Sequence, residues 1–138
     1  MSGLLLDTNV VSALRTPDRQ DEPFQCWAKQ LDAGQCFVSV FTWMELRAGV
    51  LKKTQSDPAQ GKLLAGWLQI MREQFGARTI PFDDGVAEVA ASLWILRPRG
   101  SIDTLIAATA VAEHLTLVTR NVSDFADIPE LSVVNPWS

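Results

Sequence analysis

Asp7, Glu45, Asp103 and Asp124 are scattered along the chain, yet each sits where a strand ends or a helix begins. Asp7 closes the apolar run Leu4-Leu5-Leu6, and Asp124 follows Leu117-Val118-Thr119 by way of Arg120-Asn121. Glu45 and Asp103 lie on the opening turns of helical segments. In an open parallel α/β sheet, ligands bind in the crevice beyond the carboxyl ends of the strands, so the four side chains can converge there. Four carboxylates in one pocket repel one another, since a like-charged pair about 4 Å apart costs about 4 kcal/mol at an effective dielectric near 20. Such a cluster needs a cation. His114 is the only histidine, and Cys26 and Cys36 do not have the spacing of a zinc site, so any metal must be held by oxygen. That donor set suits Mg²⁺ or Mn²⁺, which activate water and stabilise charge developing on a phosphoryl group.

Each acid also has a structural role open to it. Asp7 can cap the helix that follows it. Glu45 can close a capping box begun by Thr42, three residues earlier. Asp103 can favour a helix start through the dipole, and Asp124 can serve the turn Asn121-Val122-Ser123-Asp124.

The elements that would position these acids follow from periodicity and punctuation. Short apolar runs at Leu4–Leu6, Cys36–Val40, Thr116–Thr119 and Leu131–Val134 are expected to be strands, with a brief extended piece from Arg78 to Phe82. Helices are expected over Val10–Leu14, Phe24–Asp32, Thr42 to about Lys53, Pro58 to Gly76, Asp83 to Pro98 and Ile102–His114. Thr16 to Pro23 is polar and proline-flanked, hence a loop. Short apolar strands alternating with helices indicate a three-layer α/β/α architecture around a central, mostly parallel, twisted sheet of four to five short strands.

With 138 residues, 47% of them apolar, the chain is long enough for one core, and residues 1–138 are expected to form a single domain. No run of about 18 apolar residues occurs, so a soluble, cytoplasmic protein with no membrane partner is expected. The two cysteines are expected to be buried thiols. A net charge of −4 argues on its face against nucleic-acid binding, but a total does not say where charges sit, and several acids gathered around a divalent cation would give the same sum.

The acids arrive inside four ordered segments, Leu4-Leu5-Leu6-Asp7-Thr8-Asn9-Val10-Val11-Ser12, Ser39 to Val50, Asp103 to Ala110 and Leu117 to Phe125. Together with the ending Val134-Asn135-Pro136-Trp137, these segments resemble the PIN-domain ribonuclease toxins of the VapC and FitB group. The resemblance covers nearly the whole chain. It implies a PIN-like fold and a metal-dependent endoribonuclease toxin of a toxin–antitoxin pair, with Asp7, Glu45 and Asp103 as core ligands of Mg²⁺ or Mn²⁺. The fourth acid of the family stands at the position of either Asn121 or Asp124. An amide occupies the first, so Asp124 is favoured as catalytic acid and ligand, with Asn121 orienting water or phosphate and Thr8 touching bound water. RNA hydrolysis would leave a 5′-phosphate and a 3′-hydroxyl. The resemblance also implies a homodimer and a cognate VapB/FitA-like antitoxin, with DNA reached only indirectly through that antitoxin.

Arg15, Arg47, Lys52, Lys53, Arg97, Arg99 and Arg120 are the available phosphate contacts, and the pairs Lys52-Lys53 and Arg97-Arg99 are favoured because each lies near an acid-bearing segment in sequence. Five tryptophans in so short a chain exceed what a core usually requires; core packing is the default reading, with Trp43, two residues before Glu45, as the one that could shape the RNA path or an antitoxin contact. A haloacid-dehalogenase-type phosphatase would need Asp where Asn9 stands, and a receiver domain would need Lys where Arg120 stands. The main rival is non-enzymatic: a FitB-like partner of a DNA-binding antitoxin, acting only in a repressor complex.

Overall fold

The three leucines near the start of the chain become the central strand. In the computed structural model, which describes residues 3–97 and 101–138, β1 (Leu4–Leu6) lies between β2 (Cys36–Ser39) and β4 (Thr116–Val118). The sheet is completed by β3 (Thr79–Ile80) outside β2 and β5 (Val133–Val134) outside β4, giving the order β3-β2-β1-β4-β5. Every pairing is parallel, with Leu6 opposite Val118 and Leu4 opposite Cys36. The strands are short and apolar because both faces are covered. Leu5 and Leu117 enter one core with Val86, Leu93 and Ile106, while Leu6, Val38 and Val118 enter another with Val10, Phe24 and Trp43. Alternate residues of one strand therefore serve opposite layers.

Six α-helices among the described residues make the outer layers: α1 (Thr8–Ala13), α2 (Glu22–Gln30), α3 (Val40–Ser56), α4 (Pro58–Phe75), α5 (Asp84–Trp94) and α6 (Ile102–Ala112). The three-layer α/β/α reading stands, with the sheet wholly parallel and five-stranded. Helices α3 and α4 form a tight hairpin broken only at Asp57, whose side chain accepts from the Gln60 N–H at 3.2 Å while Pro58 takes the first helical position. The hairpin closes because Gly61 has no side chain: a Cβ there would lie 2.6 Å from the Cα of Thr54. Among the described residues no helix is long and apolar enough to cross a membrane.

Local details depart from sequence expectation. Helix α3 begins at Val40, not Thr42, because Ser39 is the N-cap and accepts from the Phe41 N–H at 3.0 Å. Thr42 is thus inside the helix and fully buried, so no capping box forms and Glu45 is released from that duty. Trp43 is a core residue, 2% exposed, with its indole N–H donating to Thr79 Oγ1 at 2.9 Å and its ring edge-on to Phe75, so it shapes no RNA path. Cys36 is buried as expected, whereas Cys26 is exposed on α2.

Candidate active site

Chain order along the sheet reverses direction between β1 and β4, the place where an open parallel sheet leaves a crevice at its carboxyl edge. Asp7 and Thr119 come directly after those two strands. Because Leu6 pairs with Val118, the next residues on each strand are neighbours as well. Thr119 Oγ1 donates to Asp7 Oδ2 at 2.7 Å, and the Thr8 N–H donates to Asp7 Oδ1 at 2.8 Å. The Asp7 N–H itself bonds the Val118 carbonyl at 2.9 Å, fixing the residue to the sheet. Asp7 therefore does cap α1, and it is also a carboxylate held rigidly at the crevice, only 4% exposed.

Neighbouring groups complete the floor. Thr8 Oγ1 donates to Glu45 Oε1 at 2.5 Å and lies 3.1 Å from the Thr42 hydroxyl, tying the start of α1 to the second turn of α3. Asn9 Nδ2 donates to Thr119 Oγ1 at 3.3 Å and to Asp7 Oδ2 at 3.5 Å, and the Arg120 N–H donates to Asn9 Oδ1 at 3.3 Å. The Asn121 N–H donates to Thr119 Oγ1 at 3.1 Å. Thr119 and Asn9 are thus hubs of the site to which sequence reasoning assigned no role. The signal for Thr119 was available, since two parallel apolar runs each end in a polar residue at the same level of the sheet.

Asp103 stands on the first turn of α6, and Asp124 on the short 3₁₀ turn Val122–Phe125. Burial pushes the Asp7 carboxyl above the usual carboxylate range, against the two hydrogen bonds that favour its charge, and the charges of Asp103 and Glu45 push it further. Burial also raises the Asp103 carboxyl, followed by repulsion from Asp124, with Arg97 acting in the opposite direction. Electrostatic coupling therefore links the four acids in a chain: Glu45 with Asp7, Asp7 with Asp103, and Asp103 with Asp124. Among the described residues, no three acids, cysteines or histidines are drawn together closely enough to form a metal cluster by themselves. The donor set is nonetheless all oxygen, and its mutual repulsion leaves a deficit of positive charge. Both properties fit a hard divalent cation.

Arg97 does not supply that charge as a free phosphate contact. Its Nε donates to Thr104 Oγ1 at 3.2 Å, its Nη1 pairs with Asp127 at 2.9 Å and its Nη2 donates to the Asp124 carbonyl at 3.0 Å. The guanidinium instead clamps the Asp124 turn against α6 and lies over the Phe125 ring. Arg99 lies outside the described residues. Arg47 sits two positions after Glu45, turned about 200° around α3, and lines a groove against α4. Lys52 and Lys53 are exposed seven and eight residues beyond Glu45, about 10–12 Å further along the helix axis. The Arg120 backbone N–H reaches Asn9, but its guanidinium is stacked 4.0 Å over the Trp137 ring, which itself packs on Phe24.

This constellation sits within a longer match, because the PIN domain family model covers residues 4–131. The chain belongs to the PIN-domain family. This PIN domain is 31% identical to Toxin FitB of Neisseria gonorrhoeae, over 97% of this chain and 98% of that protein. It is 30% identical to Ribonuclease VapC1 of Rickettsia felis, over 96% of this chain and 95% of that one. Its structure superposes on the crystal structure of FitAcB from Neisseria gonorrhoeae with a TM-score of 0.82 and 33% identity, covering 97% and 98% of the two chains.

Proposed function

We propose that this PIN domain is the toxin of a toxin–antitoxin pair and a divalent-cation-dependent endoribonuclease, acting in the cytoplasm as a single domain. The observation that carries the reading is the buried Asp7 carboxylate, fixed by Thr8 and Thr119 at the sheet's crevice and raised by burial together with the charges of Asp103 and Glu45. The ribonuclease name of VapC1 and the toxin name of FitB support it.

Asp7, Glu45 and Asp103 would hold Mg²⁺ or Mn²⁺, with Asp124 as the fourth acid in preference to Asn121 because the charge of Asp124 reaches Asp103. When bound, such a cation lowers the pKa of water and offsets charge that builds on the phosphoryl oxygens. The protein's own contribution is to hold its carboxylates ready. Thr119 and the Thr8 amide keep Asp7 in one orientation, and the Thr8 hydroxyl keeps Glu45 in another, so little reorganisation remains when substrate arrives. In the hydrolysis, a water oxygen bonds to phosphorus as the P–O3′ bond breaks in line. The leaving oxygen takes a proton, giving a 3′-hydroxyl and a 5′-phosphate. Asn121 would orient a phosphate and Arg120, its neighbour in the chain, would contact it, while Lys52 and Lys53 would meet RNA only at a distance from the cut.

The solved FitAcB and the DNA-bound VapBC2 of Rickettsia felis, 25% identical with a TM-score of 0.71, support a VapB/FitA-like antitoxin as partner and DNA contact only through it, and the toxin is read as a homodimer on its family resemblance alone. The test is expression of the chain without any partner. Wild type should arrest growth and Asp7→Asn should not; equal behaviour of the two would refute the nuclease and leave the FitB-like repressor partner as the reading.

A further inference from the structure

The four acids differ in what holds them. Asp7 accepts hydrogen bonds from the Thr8 amide and the Thr119 hydroxyl, and Glu45 accepts one from the Thr8 hydroxyl. Among the described residues the Asp103 and Asp124 side chains take part in no hydrogen bond, and Asp124 is fixed through its backbone. Its N–H donates to the Asn121 carbonyl at 3.0 Å, and its carbonyl accepts from Arg97 Nη2 at 3.0 Å. Two like charges on separate elements, free at the side chain, move apart unless the backbones that carry them are joined. Arg97 makes that join. It lies three residues past the end of α5, its side chain only 10% exposed and its N–H on the Leu93 carbonyl at 3.0 Å. From there Nε reaches Thr104, the residue after Asp103, while Nη2 reaches Asp124 itself. Thr104 and Phe125, each next to an acid, are both buried, and the Phe125 ring underlies the guanidinium.

We propose that Arg97 is a positioning residue of the acid site: its fork fixes the Asp124 turn against the start of α6, and so sets the separation of the Asp103 and Asp124 carboxylates at which a divalent cation is held. The inference rests on the reading of these two acids as ligands. Charge alone is not what Arg97 supplies. A lysine would keep the positive charge, but its single ammonium on a flexible stem cannot serve Thr104 and the Asp124 carbonyl in two fixed directions as a planar guanidinium does. The two carboxylates would then have to be gathered when the cation binds, and the cost of ordering them lowers affinity. Groups that orient metal ligands from behind are worth about 10–100-fold in metal affinity. Arg97 bonds neither carboxylate of the pair, so its effect falls on the cation and is made good by more of it.

Binding of Mn²⁺ to the metal-free, full-length chain, followed through the electron paramagnetic resonance signal of free Mn²⁺, tests this without reference to RNA. Arg97→Lys should weaken the site by about tenfold or more. In an Asp124→Asn background the same substitution should change affinity by less than about twofold, since the group it positions is gone. Leu68→Ala truncates the core on α4, which carries none of the acids. It should lower the thermal midpoint at least as far as Arg97→Lys and leave Mn²⁺ affinity at the wild-type value. RNA cleavage by Arg97→Lys should return towards the wild-type rate as Mn²⁺ is raised. Wild-type Mn²⁺ affinity in Arg97→Lys, an equal loss in the Asp124→Asn background, or an equal loss in Leu68→Ala would overturn the proposal, as would a wild type that binds no Mn²⁺. A wild type that binds Mn²⁺ and shows the expected differences, yet cleaves no RNA, would uphold the positioning role and refute only the nuclease.

Discussion

Removing the Thr119 hydroxyl should weaken the fold specifically through Asp7. Thr119 is fully buried, and its hydroxyl gives the 2.7 Å hydrogen bond to Asp7 Oδ2. Thr119→Val keeps the shape and deletes the donor. A hydrogen bond to a charged group is worth about 1.5–3 kcal/mol, and Asn121, which also bonds this oxygen, is exposed and can turn to water. The expected loss at neutral pH is therefore about 2 kcal/mol, read from urea unfolding with EDTA present. In an Asp7→Asn background the partner is neutral, and the same substitution should cost only about 0.5–1.5 kcal/mol. The cycle should show a coupling of about 1 kcal/mol or more. Equal costs in the two backgrounds, within about 0.3 kcal/mol, would refute the claim that Thr119 acts on the carboxylate. Its role would then be confined to the Asn9 and Asn121 contacts.

Three further outcomes follow from the same structure. The Asp7 carboxyl is held above its usual range, so its share of stability is full in acid and lost as pH rises through its titration. Metal-free Asp7→Asn should accordingly unfold later than wild type at neutral pH by about 0.5–2 kcal/mol, and the gap should close under acidic conditions; a gap independent of pH would contradict this. Arg97→Ala strips the buried Thr104 hydroxyl and the Asp124 carbonyl of their donor, and should cost about 2–4 kcal/mol by urea unfolding, with Arg97→Lys restoring less than half. The half-exposed contact with Asp127 contributes little to that sum. Burial pushes the Cys36 thiol up to about 11, so at about pH 8 a thiol reagent should modify exposed Cys26 quickly and Cys36 only on unfolding.

Much of this architecture was legible in the sequence. Leu4-Leu5-Leu6 reads as a buried parallel strand because nothing along it is polar, and Pro58 and Gly76 mark the limits of α4 through backbone chemistry that other residues lack. Less legible was whatever depends on partners distant in sequence. Thr42 and Glu45 have the spacing of a capping box, but Ser39 stands at the true strand end and wins the cap. Arg97 looked free because Thr104, Asp124 and Asp127 reach it only through tertiary packing. For Trp43 the core and an RNA or antitoxin contact both stayed open, because a single helical turn does not reveal that Thr79 waits for its indole N–H. The acids at the carboxyl edge were recognisable from strand ends, whereas the hydroxyl that orients Asp7 came only with the register of β1 against β4.

The central claim is that the acid group around Asp7 holds a divalent cation with which the chain hydrolyses RNA, and cleavage of an end-labelled single-stranded RNA by the purified protein tests it most directly. Wild type with Mg²⁺ or Mn²⁺ should yield fragments ending in 5′-phosphate and 3′-hydroxyl. EDTA should abolish cleavage and excess metal restore it, while Asp7→Asn and Asp103→Asn should be inactive under all conditions. Cleavage that persists in EDTA, or that survives in both variants, would contradict the account.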